Sequence, residues 1–422
     1  MHFVYNWFLR IITPIVLLRL LWRGIRNRGY WHRWSERFAL NLHFTDEKRI
    51  WIHAVSVGEV RAAVPLIREL LDRYRDYALL VTTMTPTGSA QLRSLFRHDV
   101  EHCYVPYDLP SVVKRFLRSA RPRLALIMET ELWPNLFREC GKRNIPIIVS
   151  NVRMSEKSMK GYLKVRTLAA STLANVRLLA CQSEQDGERM LAIGAGKDQV
   201  RVTGSLKFEY RFPASLTEQG DALRQAWGGT RPVWVAASTR SGEDELVLDA
   251  YKELKRQHPD LVLIIVPRHP ERFNSVARLA EKSGYRVTRR SENLNLIPEQ
   301  TDILIGDTMG ELLLFISTSD VVFMGGSLVN TGGHNLLEPA AAGKPVVFGP
   351  YMFNFADISR MVLERGAGMQ IHSHSDLAPA IDMYIKNPSV RYAAGQAGKE
   401  LVEQNRGALE KNLALIQSVL GG

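Results

Sequence analysis

IWIHAVSVGE, residues 50–59, decides the fold of this chain. Its first half is apolar and strand-favouring, its second half is a turn carrying Gly58 and a carboxylate, and the following VRAAVPLIRELLDRY places apolar residues at helical spacing. The stretch predicts strand, tight turn, helix. In an open α/β sheet, ligands bind where strands end at their carboxyl side, so Glu59 is expected at the mouth of a crevice. A second reading stays open: a glutamate in the first turn of a helix is favoured by the helix dipole alone.

The same rhythm continues outward. YALLVTT (77–83), HCYVP (102–106), RLALIME (123–129), IPIIVSN (145–151), RLLACQS (177–183) and QVRVTGS (199–205) read as further strands, with helix-like patterns between most of them. Alternation of this kind implies a parallel, doubly wound sheet. Its rim would carry Ser56 to Glu59, Met84 to Gly88, Glu129-Thr130-Glu131 and Asn151 to Arg153, bringing two or three carboxylates to one crevice. After the fifth strand, Arg153, Lys157, Lys160, Lys164 and Arg166 recur at spacings near three and four, which puts several on one helix face. That face either holds a phosphorylated or membrane-bound acceptor or is simply solvated.

Residues 206–230 lose the strand rhythm and collect Pro213, Gly220, Gly228 and Gly229, which predicts a linker. Beyond it RPVWVAAST (231–239), LVLIIVPRHP (261–270), DILIGD (302–307), DVVFMGGS (320–327) and KPVVFG (344–349) are buried-strand runs. A second doubly wound unit follows, so the expected molecule is two Rossmann-like domains facing a cleft. On its wall Arg268 and His269 follow a strand, Thr308-Met309-Gly310-Glu311 opens a helical pattern suited to an anion, and the pairs Gly325-Gly326 and Gly332-Gly333 would let a ligand approach the backbone. His334 to Pro339 starts another helix, where Glu338 either accepts from ribose hydroxyls or caps the helix. The boundaries expected are 1–37 for a membrane-anchoring segment, 38–205 and 231–400 for the two domains, 206–230 for the linker and 401–422 for a terminal helix.

Composition narrows the partners. The net charge is +12, which suits an anionic partner, and residues 1–37 hold seven arginines against the single acid Glu36, together with four of the eight tryptophans. The apolar run 11–18 is broken by Pro14 and bounded by Arg10 and Arg19, short of the roughly 20 residues of a span. Tryptophan with arginine points to an anchor lying on an anionic leaflet, with a short tilted span as the competing reading; both keep the body on the cytoplasmic side. Cys103, Cys140 and Cys181 form neither a disulfide framework nor a metal motif, and a metal-independent reaction is expected. Gly194-Ala195-Gly196-Lys197 lacks what a dinucleotide fingerprint or a P-loop requires. The aromatics form no exposed stacking series and the rim is acidic, which argues against nucleic acid.

HAVSVGEV, TTMTPTGSAQ, YDLP, METELWPN, TGSLKF, PRHPERF, GDTMGEL and GGSLVNTGGHNLLEPAAAGKPVVFGP, in this order along nearly the whole chain, resemble the bacterial Kdo (3-deoxy-D-manno-octulosonic acid) transferases of lipid A assembly. These are GT-B glycosyltransferases. The resemblance implies an inverting transfer of Kdo from CMP-Kdo, a substrate and not a cofactor, to a phosphorylated lipid A precursor, the tetraacyldisaccharide 4'-phosphate, at the cytoplasmic face of the inner membrane. It implies Glu59 as general base and Glu129 and Lys207 as transition-state stabilisers. For the donor it implies Pro267, Arg268, Met309, Gly310, Glu311, Asn335, Leu336, Leu337 and Glu338, while Arg153, Lys157, Lys160 and Lys164 are the acceptor candidates read from the charge pattern. Lys207 is left with two roles, balancing the sugar carboxylate or the leaving phosphate. The alternatives are a membrane-associated GT-B enzyme using a UDP-sugar and a non-enzymatic basic membrane adaptor.

Overall fold

A computed structural model describes residues 2–26, 28–45, 47–292 and 298–421; the side chains of Arg23, Arg26 and Arg28, three of the seven amino-terminal arginines, lie outside that description. The chain forms two compact units, Met1–Glu209 with Asn405–Gly422, and Tyr210–Gln404.

In the first unit seven parallel strands, β1 (Lys48–His53), β2 (Tyr77–Thr83), β3 (Glu101–Tyr104), β4 (Pro122–Met128), β5 (Ile147–Val152), β6 (Leu178–Cys181) and β7 (Val200–Val202), lie in the order β3-β2-β1-β4-β5-β6-β7. Alternation along β1 explains how one strand feeds two cores. Ile50 and Ile52 pack on one face with Leu66 and Ile67 of the helix Val57–Arg73, and Trp51 packs on the other with Phe116 and Phe137. Since β1 pairs with both β2 and β4, the strand order reverses between β1 and β4. The switch point, the position where open α/β sheets bind ligands, therefore lies where Glu59 and Glu129 follow β1 and β4.

The second unit repeats the plan with β8 (Val233–Thr239), β9 (Val262–Pro267), β10 (Val287–Arg289), β11 (Ile303–Ile305), β12 (Val321–Met324), β13 (Val346–Phe348) and β14 (Gly368–Gln370), ordered β10-β11-β9-β8-β12-β13-β14. All five expected strands are present. The edge strands β10 and β14 were not legible, because each is only three residues long and lacks an apolar run.

The boundaries differ from those expected. Leu206–Glu209 is a short helical turn of the first unit, and the helix Ala214–Ala226 belongs to the second. Gly220, read above as a linker glycine, lies where a Cβ would come within 1.9 Å of Ser317 Oγ, so it permits helix packing rather than flexibility. The helix Ala408–Leu420 returns to the first unit, where Ala408, Leu413 and Ile416 join its core. The amino-terminal helix also exceeds expectation: it runs His2–Arg26 straight through Pro14, and His2–Trp22 is long and apolar enough to cross a membrane by length and composition. Its start is fastened to the first unit, with Tyr5 Oη donating to Asp108 Oδ2 at 2.8 Å and Asn135 Nδ2 donating to Asn6 Oδ1 at 2.7 Å.

Candidate active site

Glu59 is the third residue of the helix Val57–Arg73, and Ser56 caps that helix by accepting from the Glu59 N–H at 3.3 Å. The carboxylate folds back over the turn, accepting from Val55 N at 2.7 Å and from Ser56 Oγ at 3.0 Å. The cap geometry thus fixes the carboxylate in the first turn of its helix, at the switch point of the sheet. Its side chain is 7 % exposed. Burial, partly opposed by the Val55 N–H and reinforced by the charges of Glu129 and Glu131, pushes the carboxyl up to about 7. A carboxylate poised there exchanges protons readily at neutral pH.

Glu129 follows β4 directly in the left-handed region, φ 57°, and its N–H donates to Ser150 O at 2.8 Å. A glutamate held in that conformation is strained, which turns the chain sharply out of the sheet. Lys207 Nζ lies 3.3 Å from Glu129 Oε1. What brings this lysine of the expected linker to the rim is Asn151, fully buried with φ 59° at the end of β5, whose Oδ1 accepts from Leu206 N at 3.0 Å and from Ser205 Oγ at 3.4 Å. The turn is braced again from the far end of the sequence: Glu209 Oε1 accepts from Gly407 N and Leu409 N, and Asn412 Oδ1 accepts from Ser150 Oγ at 2.7 Å. Composition gave no signal for Glu209 or Asn412, whose partners lie about 200 residues or more away.

Of the acceptor candidates, Arg153 is bonded through its backbone to Thr130, its N–H donating to Thr130 Oγ1 at 3.2 Å, which keeps it beside the Glu129 turn. Lys157, Lys160 and Lys164 are exposed, the first two on the helix Glu156–Leu163 and the third at its carboxyl cap. Lys160 pairs with Glu156 at 2.6 Å. The shared helix face ends there, because the helix is interrupted at Val165 and Arg166 begins a new one.

In the second unit β8 and β12 flank the switch point. Pro267 is buried at the end of β9 and Arg268 follows it, half-buried. Met309 is exposed, and Gly310 has φ 91° with open space around its Cβ position, so the turn needs glycine for its conformation only. The helix after it, Leu312–Thr318, has barely two turns, and the Glu311 carboxylate is forked by Arg290, with Nη2 to Oε1 at 2.8 Å, which holds it below the usual carboxylate range. Glu311 therefore shapes its loop through Arg290. Leu336 and Leu337 are core side chains, 0 % and 1 % exposed, and have only backbone to offer a ligand. Asn335 accepts from Leu337 N at 3.2 Å and donates to Glu338 Oε1 at 3.4 Å, which ties it to the start of the short helix Leu337–Ala341.

The protein's own packing requires the glycine pairs. A Cβ on Gly325 would meet Ser238 O at 2.7 Å, and one on Gly332 or Gly333 would strike Asn354 or Met352. Two residues not singled out from sequence lie at the same rim. Arg240, just past β8, donates from Nη1 to His269 Nε2 at 2.5 Å and from Nε to His334 Nε2 at 3.4 Å. Glu243, 0 % exposed, accepts four backbone N–H bonds. The signal for it was the repeated dipeptide: Gly242-Glu243 follows the first strand of the second unit as Gly58-Glu59 follows that of the first.

Comparison with known proteins agrees with this architecture. Residues 32–210 match the family described as 3-deoxy-D-manno-octulosonic-acid transferase, and residues 243–401 match glycosyl transferases group 1. The chain is 39 % identical to a 3-deoxy-D-manno-octulosonic acid transferase of Haemophilus influenzae and 33 % identical to one of Bordetella pertussis, each over 99 % of both chains. A solved UDP-GlcNAc 2-epimerase of Neisseria meningitidis shares the fold, with TM-score 0.56 at 12 % identity over 89 % of this chain and all of that one.

Proposed function

Because the chain belongs to the 3-deoxy-D-manno-octulosonic acid transferase family and has its two-domain α/β glycosyltransferase fold, we propose that it transfers Kdo from CMP-Kdo to a lipid A precursor, the tetraacyldisaccharide 4'-phosphate. The observation that carries the chemistry is Glu59: a buried carboxylate pushed up to about 7, at the switch point of the first unit, beside the Glu129–Lys207 pair.

In this reading Glu59 removes the proton from the acceptor's sugar hydroxyl as that oxygen attacks the anomeric carbon. The new bond is acceptor oxygen to anomeric carbon, the broken bond is anomeric carbon to phosphate oxygen, and CMP leaves with the bonding pair, inverting the centre. Glu129 faces positive charge developing on the sugar ring. The 3.3 Å contact favours Lys207 as the partner that holds and balances Glu129, ahead of a direct role on the sugar carboxylate or the phosphate. On the second unit Arg268, the Met309–Glu311 turn and Asn335 to Glu338 hold the donor. No cofactor or metal is invoked. The acceptor reaches the first unit from the cytoplasmic face of a membrane held by the helix His2–Arg26, with Arg153, Lys157, Lys160 and Lys164 addressing its phosphates.

Purified protein incubated with CMP-Kdo and the tetraacylated disaccharide should yield CMP and a lipid heavier by whole Kdo units, read by mass spectrometry. An unchanged lipid sinks the proposal. Thermal protection by UDP in place of CMP transfers the protein to the UDP-sugar reading.

A further inference from the structure

We infer that Glu243 is the positioning residue of the donor site: a buried carboxylate that ties together the two loops flanking the second unit's switch point and so sets Arg240 and His334 towards the donor's anionic group. The inference rests on the donor reading above and concerns a residue that never touches the donor.

Four backbone donors surround this one side chain. Glu243 Oε2 accepts from Arg240 N at 2.8 Å and from Gly326 N at 2.6 Å, and Oε1 accepts from Ser327 N at 3.0 Å and Leu328 N at 2.9 Å. Successive backbone N–H groups in a glycine turn form a concavity suited to an anion. Here the protein fills that concavity with its own carboxylate, so this nest is occupied before any substrate arrives.

The bonds close into a circuit. Gly326 O accepts from Gly333 N at 2.7 Å, which fixes the residue before His334. Arg240 Nε reaches His334 Nε2 at 3.4 Å, and Arg240 N returns to Glu243. Arg240 Nη1 also meets His269 Nε2, and burial together with the Arg240 charge holds His269 below its usual range. One carboxylate thereby fixes a guanidinium and two imidazoles at the ends of β8, β9 and the loop after β12. Removing it frees four backbone N–H groups at once, those of Gly326 and Ser327 fully buried, and the loops must move to satisfy them.

Glu243→Gln keeps the volume but replaces one acceptor oxygen with an N–H donor. The expected result is a donor KM raised by about tenfold or more with the acceptor KM unchanged, and a CMP inhibition constant raised by a similar factor. An unchanged donor KM, a loss confined to kcat, or a parallel rise in both KM values overturns the inference, since a merely destabilising change reduces the active fraction without selecting the donor. Should the glutamine variant fail to fold, Glu243→Asp, which keeps the charge on a shorter arm, is measured in the same way. Hydrogen exchange on the unaltered protein supplies an independent check: the amides of Gly326, Ser327 and Leu328 should be protected without nucleotide, and rapid exchange there refutes the circuit. If CMP does not inhibit even the unaltered protein, the donor reading fails and Glu243 loses its proposed purpose, whereas the exchange result stands apart.

Discussion

Glu59 and Glu243 follow the same local sequence, a strand, a turn and Gly-Glu, yet the fold gives them different surroundings. Glu59 is left with Val55 N and Ser56 Oγ as partners and faces two other carboxylates; Glu243 is enclosed by four N–H groups. The Glu59 carboxyl moves from 4.5 to about 7 on folding. The folded protein therefore holds the proton more tightly than the unfolded chain, and the stability this supplies is complete below pH 4.5 and lost as pH rises through 7. Glu59→Gln, a permanent mimic of the protonated acid, should abolish transfer by about 10²–10⁴-fold. It should also stabilise the first unit at pH 8 by at most about 3 kcal/mol, with the gain vanishing near pH 4. Urea unfolding at the two pH values measures this, and equal gains at both would refute the buried-carboxylate account. Lys207→Ala leaves Glu129 uncompensated, so the acid limb of the pH–rate profile should move to higher pH; Glu129→Gln should move it lower. A limb that stays fixed in both variants excludes Glu59 as the group being titrated.

Among the elements, the central strands were legible because each is a continuous apolar run bounded by turn residues, as in RLALIME and LVLIIVP. The amino-terminal helix was underread, since Pro14 and flanking arginines suggested a short segment whereas the helix continues to Arg26 with Phe8, Ile11, Ile15, Leu18 and Trp22 all exposed. Replacing Ile11, Ile15 and Leu18 by serine should release the protein from anionic vesicles while leaving its fold intact; undiminished sedimentation with vesicles would show that another surface carries the attachment. The turn Leu206–Glu209 was unreadable in a different way, because its place depends on Asn151 and on a helix that begins at Ala408. Asn412→Ala deprives the buried Ser150 hydroxyl of its acceptor, and a loss of about 1–3 kcal/mol is expected. Transfer should fall as well, through the loosened Lys207 turn.

At the scale of the whole molecule, two units with separate cores are built from one chain that leaves the first unit after Glu209 and returns at Asn405. Truncation after Gln404 should therefore unfold the first unit, removing Leu413 and Ile416 from its core at about 1.5–3 kcal/mol each, while the second unit keeps its own transition. A truncated chain with an unchanged first transition would contradict this assignment. The sequence by itself determined the α/β plan, the strand ends that carry the candidate site residues and the family, because apolar periodicity and turn residues are local properties. Only the tertiary structure decided what each polar residue at those ends does. Pairing Lys207 with Glu129, filling the Gly326 turn with Glu243, and raising Glu59 by burial beside Glu129 all depend on groups brought together from distant positions, and electrostatics and hydrogen bonding act through space rather than along the chain. The stretch IWIHAVSVGE carried the position of its glutamate; the burial and the neighbouring carboxylates that raise its carboxyl came from the rest of the fold.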